Sequence, residues 1–217
     1  MKKLAAYVSL MVISSLGLFA SQAIGQESSR KQQKVLLFIR DGSIDLEYML
    51  KNEAGVIKET LETAGFKVEI ATPTGKTISA GSVSLKPDLK ITDVSVQQYA
   101  GFILPCMAVD DSKIQPSEEA VRMVKEAIAA DKPVAAQLGS IRTLGKAGLL
   151  KGKKYAAVIE FEDPYFAGSI RSGTGIVGQG NIITSGICPY MAREKQIKDG
   201  TKGLVNALIK TIKRKTD

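Results

Sequence analysis

The spacing of apolar and polar positions changes several times along the chain, and each change marks a predicted element. Nearly continuous apolar runs at 34–39 and 99–104 are typical of strands that are covered on both faces. Between them, apolar residues from Leu46 to Ala64 recur at helical spacing, and Gly65 follows where a C-terminal cap belongs. Similar patterns predict further strands at 66–71, 133–137, 155–161 and 180–185, and short strands near Ile78 and at 83–85. They also predict helices that open at Ser117, after Gly139 and near Leu204.

Strands and helices alternate at the spacing of βαβ units. This alternation predicts an α/β fold with a mostly parallel central sheet and helices on both faces. Sites in such sheets lie beyond the C-terminal ends of the strands. The segments 41–47, 105–109, 138–140 and 186–190 should therefore surround one pocket. The pattern shows no internal repeat, and we expect residues 26–217 to form a single domain.

Residues 1–25 have the pattern of a secretory signal peptide. Lys2 and Lys3 precede an apolar run, and Ala23 and Gly25 supply small residues for cleavage before Gln26. The run is shorter than the roughly 20 apolar residues that a membrane-spanning helix needs. We therefore expect cleavage, an exported protein that is periplasmic or secreted, and no stable membrane insertion of the mature chain.

Residue composition excludes several kinds of site. The chain has no histidine, which removes Ser–His and Cys–His catalysis and imidazole metal ligands. Its two cysteines cannot build a structural zinc site by themselves, so we predict no metal, and no motif indicates a cofactor. The formal charge is +8, but tryptophan is absent and only 6% of residues are aromatic, so little is available to stack on bases. We do not expect nucleic-acid binding.

The stretch KPVAAQLGSIRTLGKAGLLKGKK at 132–154 is the most informative part of the sequence. It predicts a buried strand that turns sharply at Leu138 and Gly139 into a helix. Many α/β hydrolytic folds place a nucleophile at such a bend, beside the free N–H groups of the helix. Leu138 cannot attack a substrate, so the sequence predicts the fold more directly than it predicts an activity.

Several segments resemble the ThiJ/PfpI family of the class I glutamine amidotransferase-like superfamily. The resemblance covers roughly the whole mature chain and is weakest after Ser185. It implies a flavodoxin-like three-layer sandwich and a homodimer. Active members use a cysteine at the bend, often followed by histidine, beside a glutamate from the first strand–helix loop. The segments that carry the resemblance are ATPTGK at 71–76, LKPDL at 85–89, YAGFILP at 99–105, and KPVAA with AGLLKGKK around the bend.

Compared position by position, the resemblance implies a glutamate at Glu47 and a leucine, Leu138, where the family has its cysteine. Gly139 takes the place of the histidine, and Cys106 and Met107 replace the two glycines of the family's Pro-Gly-Gly turn. Ser140 lies in the first turn of the following helix. The predicted pocket is therefore formed by Glu47, Cys106, Met107, Leu138, Gly139 and Ser140.

The candidate catalytic residues are Cys106 and Glu47, and each has alternatives. Cys106 could be a relocated nucleophile or redox thiol, could form a disulfide with Cys188, or could only fill apolar space. Glu47 could tune a neighbouring thiol or acid. Its alternative role is structural, either capping the helix after the bend or binding a backbone N–H.

Three functional hypotheses follow from the sequence. The first is an exported, non-catalytic protein that binds a small molecule or a partner in the remnant pocket. The second is a thiol-dependent hydrolase or a redox or stress-protection protein that uses Cys106 with Glu47. The third is a structural envelope protein whose pocket is filled by Leu138 and Met107.

Overall fold

A computed structural model of the chain describes residues 32–40, 42–110 and 113–215, so the predicted signal peptide lies outside the described residues. The described strands in chain order are β1 (Lys34–Phe38), β2 (Lys67–Thr72), β3 (Ile78–Ala80), β4 (Val83–Leu85), β5 (Leu89–Lys90), β6 (Gly101–Leu104), β7 (Val134–Gln137), β8 (Lys154–Tyr155), β9 (Ile170–Arg171), β10 (Ile176–Gln179) and β11 (Ile182–Ser185). Seven of them form one sheet in the order β10-β11-β7-β6-β1-β2-β5. Its pairs are parallel except the hairpin of β10 and β11.

Helices flank this sheet, which confirms the predicted flavodoxin-like α/β fold. A wider helical turn, Leu50–Gly55, joins the first two helices into one continuous segment. The helices are α1 (Leu46–Met49), α2 (Val56–Thr63), α3 (Glu118–Ala129), α4 (Ile141–Lys146), α5 (Pro189–Lys195) and α6 (Thr201–Lys213). α6 packs on α2 and on β6, β7 and β11, whereas α3 packs on α4, β6 and β7. None of the described helices is both long and apolar enough to cross a membrane.

The continuous apolar runs are the buried strands, as their sequence predicts. Val35, Leu36 and Leu37 in β1 are fully buried, and every residue of β6 and β7 is buried. Each large aliphatic side chain in these strands contributes about 1.5–3 kcal/mol by leaving water. The core therefore forms around β1, β6 and β7, whose C-terminal ends lead into the loops predicted to form the pocket.

The predicted strand at 155–161 is wrong. Only Lys154 and Tyr155 form a strand, which pairs with β9 outside the main sheet. The aromatic rings of Tyr155 and Phe161 are instead buried in a cluster with Phe166. Phe161 stacks with Tyr155 at 6.0 Å and with Phe166 at 4.6 Å between ring centroids.

Loops at the C-terminal ends of the strands meet, as the fold rule predicts. Ser43 pairs with Val109 in an isolated antiparallel bridge. The backbone N–H of Ile44 donates to the carbonyl of Ala108 at 3.0 Å. The first strand–helix loop is thereby fixed against the turn that follows β6.

Candidate functional site

The bend after β7 lies where the sequence predicts it. β7 ends at Gln137, and a short 3-10 turn over Leu138–Ser140 leads into α4. Leu138 has a φ of +34° and is only 4% exposed. A positive φ is uncommon for a residue other than glycine and stores strain. The bend after β7 therefore combines a strained backbone with a buried hydrocarbon side chain.

Glu53 is the buried carboxyl group beneath the turn that follows β6. Its side chain is completely buried, and its two oxygens accept the backbone N–H groups of Cys106 at 2.8 Å and Met107 at 2.7 Å. Burial raises the pKa of Glu53 well above its ordinary value, and the nearby Cys106 thiolate raises it further. Glu53 therefore fixes the backbone that carries Cys106.

The turn that Glu53 holds is itself strained. Met107 and Ala108 have φ values of 56° and 47°, so two successive residues adopt the left-handed conformation. This conformation costs roughly 1–2 kcal/mol per residue, and the surroundings must hold it in place. Arg40 contributes by donating from Nε and Nη2 to the carbonyl of Cys106, at 3.2 and 3.0 Å.

Cys106 and Cys188 line the same small cavity, and both thiols are free. Cys106 is 4% exposed and Cys188 is fully buried. The cavity has a volume of about 120 Å³. Its walls are Ile44, Cys106, Ala108, Val109, Leu138, Gly139, Ile159, Cys188, Tyr190 and Met191.

The two thiols differ in how readily they ionise. The neighbouring Cys188 thiol, which can donate a hydrogen bond to the Cys106 sulfur, lowers the pKa of Cys106 to about 7. Burial opposes this effect, while the charge of Arg40 and the backbone N–H groups of Gly139 and Ala108 add to it. The contact with Cys106, together with burial, raises the pKa of Cys188. Cys106 is therefore the thiolate of the pair, and Cys188 is the neutral thiol.

The structure does not place Glu47 at this cavity, and that part of the predicted pocket is wrong. Glu47 Oε1 accepts from Lys51 Nζ at 2.7 Å, from Ser82 Oγ at 3.0 Å and from Ser82 N–H at 3.3 Å. These contacts, with the Lys51 bond foremost, lower the pKa of Glu47. Glu47 instead anchors the hairpin of β3 and β4, so it has the alternative role of binding a backbone N–H.

The sequence contains a signal for Glu53 that the resemblance to the family did not use. Met49, Glu53, Ile57 and Leu61 recur every four residues, which puts Glu53 on the apolar stripe of its helix. All four side chains are buried. A carboxyl group on such a stripe needs a buried hydrogen-bond partner, and the turn after β6 supplies two.

Met107 and Ser140 are not among the residues that line the cavity. Met107 is fully buried, and Ser140 is 1% exposed. The Ser140 hydroxyl donates to the carbonyl of Pro105. It therefore ties the bend to the turn after β6 and makes no side-chain cap at the start of α4. Of the six predicted pocket residues, Cys106, Leu138 and Gly139 line the cavity.

Arg193 joins α5, which contributes Tyr190 and Met191 to the cavity, to the first strand–helix loop. Its Nη2 lies 2.7 Å from Asp45 Oδ2, and its guanidinium lies 4.3 Å from the ring centroid of Tyr48 and 5.3 Å from that of Tyr190. α5 is thereby fastened to the first strand–helix loop. Ile44, at 59% exposed, stands at the rim.

Solved structures share this fold over most of the chain. A ThiJ/PfpI domain protein from Brachyspira murdochii superposes with a TM-score of 0.65 at 18% identity, covering 85% of this chain and 98% of that one. DJ-1beta of Drosophila melanogaster superposes with a TM-score of 0.60 at 19% identity, covering 85% and 97%. At these identities the likeness is one of fold.

Sequence comparison gives the family. An uncharacterized protein of Archaeoglobus fulgidus is 30% identical over 139 residues, which cover 62% of this chain and 82% of the relative. An uncharacterized protein of Methanocaldococcus jannaschii is 27% identical over 190 residues, which cover 85% and 89%. The sequence profile of the DJ-1/PfpI family matches residues 33–193. The chain therefore belongs to the DJ-1/PfpI family.

Proposed function

We propose that this protein is a thiol-dependent redox member of its family in which Cys106 and Cys188 form a reversible disulfide. One observation carries the proposal: the two free thiols line the same small cavity. The lowered pKa of Cys106 agrees with it. Because the residue at the bend is Leu138, the usual nucleophilic cysteine has been lost from that position. The reactive thiol is one loop away, in the turn after β6.

The oxidant in this proposal is a small hydroperoxide. The cavity of about 120 Å³ admits few atoms, and apart from the Cys106 thiolate none of its described lining residues is charged, which disfavours a bulky charged disulfide. The Cys106 thiolate attacks the terminal peroxide oxygen, so an S–O bond forms, the O–O bond breaks, and the leaving alkoxide or hydroxide takes a proton. The Cys188 thiol then condenses with the sulfenic acid, forming the disulfide and releasing water. An external dithiol returns both thiols to the reduced state.

Redox chemistry fits the site better than hydrolysis does. A cysteine hydrolase needs a base beside the thiol, and the chain has no histidine. The group that contacts Cys106 is a second thiol, which can resolve a sulfenic acid. Glu53 binds the backbone of the turn and so positions Cys106.

The test measures how many thiols are lost for each equivalent of peroxide and which cysteine reacts first. The reduced protein should lose both thiols for each equivalent of hydrogen peroxide, and dithiothreitol should restore both. Because the chain has two cysteines, each single variant leaves one thiol to follow. Cys188→Ser should stop at a sulfenic acid that dimedone traps, and Cys106→Ser should react at least tenfold more slowly. Equal rates for Cys106→Ser and the unmodified protein, or no disulfide in the latter, would refute the proposal.

The second candidate is a non-catalytic protein that binds a small apolar molecule. Leu138 at the bend and the apolar walls of the cavity favour it. In that case peroxide leaves both thiols intact, and an apolar fluorescent probe binds Cys106→Ser as tightly as it binds the unmodified protein.

We also propose that the protein is exported and forms a homodimer. The leader-like pattern of residues 1–25 supports export to the periplasm or the medium. The resemblance to the family supports a homodimer. Cell fractionation with N-terminal sequencing of the mature chain tests the first, and light scattering of the purified protein tests the second.

A further inference from the structure

Three sulfur-bearing side chains line the cavity that holds the thiol pair. Cys106, Cys188 and Met191 all contribute to its wall, and the other described lining residues carry no carboxylate. Cys106 and Cys188 are less than 5% exposed, so a bound ion would be shielded from water. The cavity is thus rich in soft ligands and poor in hard ones.

We propose that this cavity binds a single Cu(I) ion through the thiolates of Cys106 and Cys188. Soft thiolate ligands in apolar surroundings select Cu(I) over hard cations. A structural zinc ion requires four ligands. The chain has no histidine, and the described residues contain no group of three or more Cys, Asp or Glu that could hold a metal. Two thiols alone suit a monovalent soft ion that accepts low coordination.

Binding balances charge and protons within the site. One Cu⁺ displaces one proton from each thiol that is still protonated, and the bis-thiolate complex carries a single negative charge. The charge of Arg40 and the N–H groups of Gly139 and Ala108 favour the anionic sulfur of Cys106. The N–H of Met191 does the same for Cys188. The donors that favour the thiolate thereby also offset the charge of the complex.

Copper binding does not rest on the proposed peroxide chemistry, because it needs only the two reduced thiols. A disulfide has no thiolate to offer, so oxidation and copper should exclude each other at this site. The two proposals can therefore fail separately. A protein that resists peroxide can still bind Cu(I), and a protein that forms the disulfide can fail to bind it.

The experiment is an anaerobic competition titration of the reduced protein with Cu(I), using bicinchoninate as the coloured competitor. We expect one equivalent of copper to be withdrawn from the competitor. Cys106→Ser and Cys188→Ser should each weaken binding at least 100-fold, while Glu47→Gln should match the unmodified protein. Zn(II) should not displace the copper.

A second measurement avoids substitution altogether. Protein oxidised to the disulfide should bind no Cu(I), and dithiothreitol followed by desalting should restore one equivalent. Unchanged binding in either cysteine variant, or Zn(II) binding as tight as that of Cu(I), would overturn the copper site.

Discussion

Replacing Cys188 should make Cys106 harder to ionise. The Cys188 thiol is the largest cause of the lowered pKa of Cys106, which lies at about 7. At pH 7 about half of the Cys106 side chains are therefore thiolate. A cysteine with the ordinary pKa of about 8.5 is only about 3% thiolate at that pH. Cys188→Ala removes the thiol that donates to the Cys106 sulfur. The pKa of Cys106 should therefore rise toward the ordinary value, because the Cys188 contact no longer offsets the effect of burial.

The expected size of the effect follows from these two limits. A full return to the ordinary value is about 1.5 pKa units, or about 2 kcal/mol, and would reduce the thiolate fraction at pH 7 about 15-fold. Arg40 and the N–H groups of Gly139 and Ala108 remain, so we expect a decrease of about tenfold. Cys188→Ser keeps a hydroxyl donor and should show a smaller decrease, about threefold.

The assay is the rate of iodoacetamide labelling as a function of pH. In Cys188→Ala and Cys188→Ser the remaining thiol is Cys106, so its titration is read without interference. Cys106→Ser is the matched control and should label slowly, because Cys188 is fully buried and burial still raises its pKa after the Cys106 contact is gone. The reasoning fails if Cys106 titrates at the same pH in the alanine and serine variants, or near 8.5 in the unmodified protein.

Other substitutions test the remaining contacts of the site. Glu53→Gln should lower stability to urea by about 1–3 kcal/mol, because an amide nitrogen cannot accept the second backbone N–H of the turn. Glu126→Gln, at an exposed position on α3, is its control and should leave the urea midpoint unchanged. Arg193→Ala should speed labelling of the cavity thiols, since it unfastens α5 from the first loop. Arg122→Ala, which removes a surface ion pair on α3, should not. Gly81→Ala should cost at least about 1 kcal/mol of stability, because its φ of +56° strains any side chain and the added methyl would displace the Glu47 carboxylate.

Each of these outcomes can contradict the structure. Equal urea midpoints for the two glutamate variants would mean that Glu53 does not carry the turn. Equal labelling rates for the two arginine variants would mean that Arg193 does not control access. If Gly81→Ala is as stable as the unmodified protein, the β3–β4 turn must have another conformation.

Much of the fold follows from local patterns. The apolar runs of β1, β6 and β7 predicted buried parallel strands, since a strand covered on both faces has no polar side. The bend at Leu138 was predictable because a buried strand leads directly into a helical pattern. The strand that was wrongly predicted at 155–161 shows the limit of such patterns. An aromatic residue gives the same apolar signal in the sequence whether its ring packs on a sheet or on other rings.

The site was predictable only in part, because it depends on contacts between residues that are distant in the sequence. Cys106 and Leu138 were predicted from their places at strand ends, and Glu47 was predicted from the resemblance to the family, which did not point to Glu53. Helical geometry decided otherwise: six residues along a helix turn a side chain to a different face. The carboxyl group of Glu47 therefore binds the β3–β4 hairpin, and that of Glu53 binds the turn after β6.

The sequence by itself determined the α/β class, the buried strands, and the absence of histidine chemistry. Only the tertiary structure decided that Cys106 and Cys188, which are 82 positions apart, share one cavity and ionise differently. Local patterns depend only on which residues are neighbours along the chain, so the sequence is enough to predict them. The pKa of a thiol depends on donors, charges and burial in space, which come from four separate loops. Those distances exist only once the sheet has assembled.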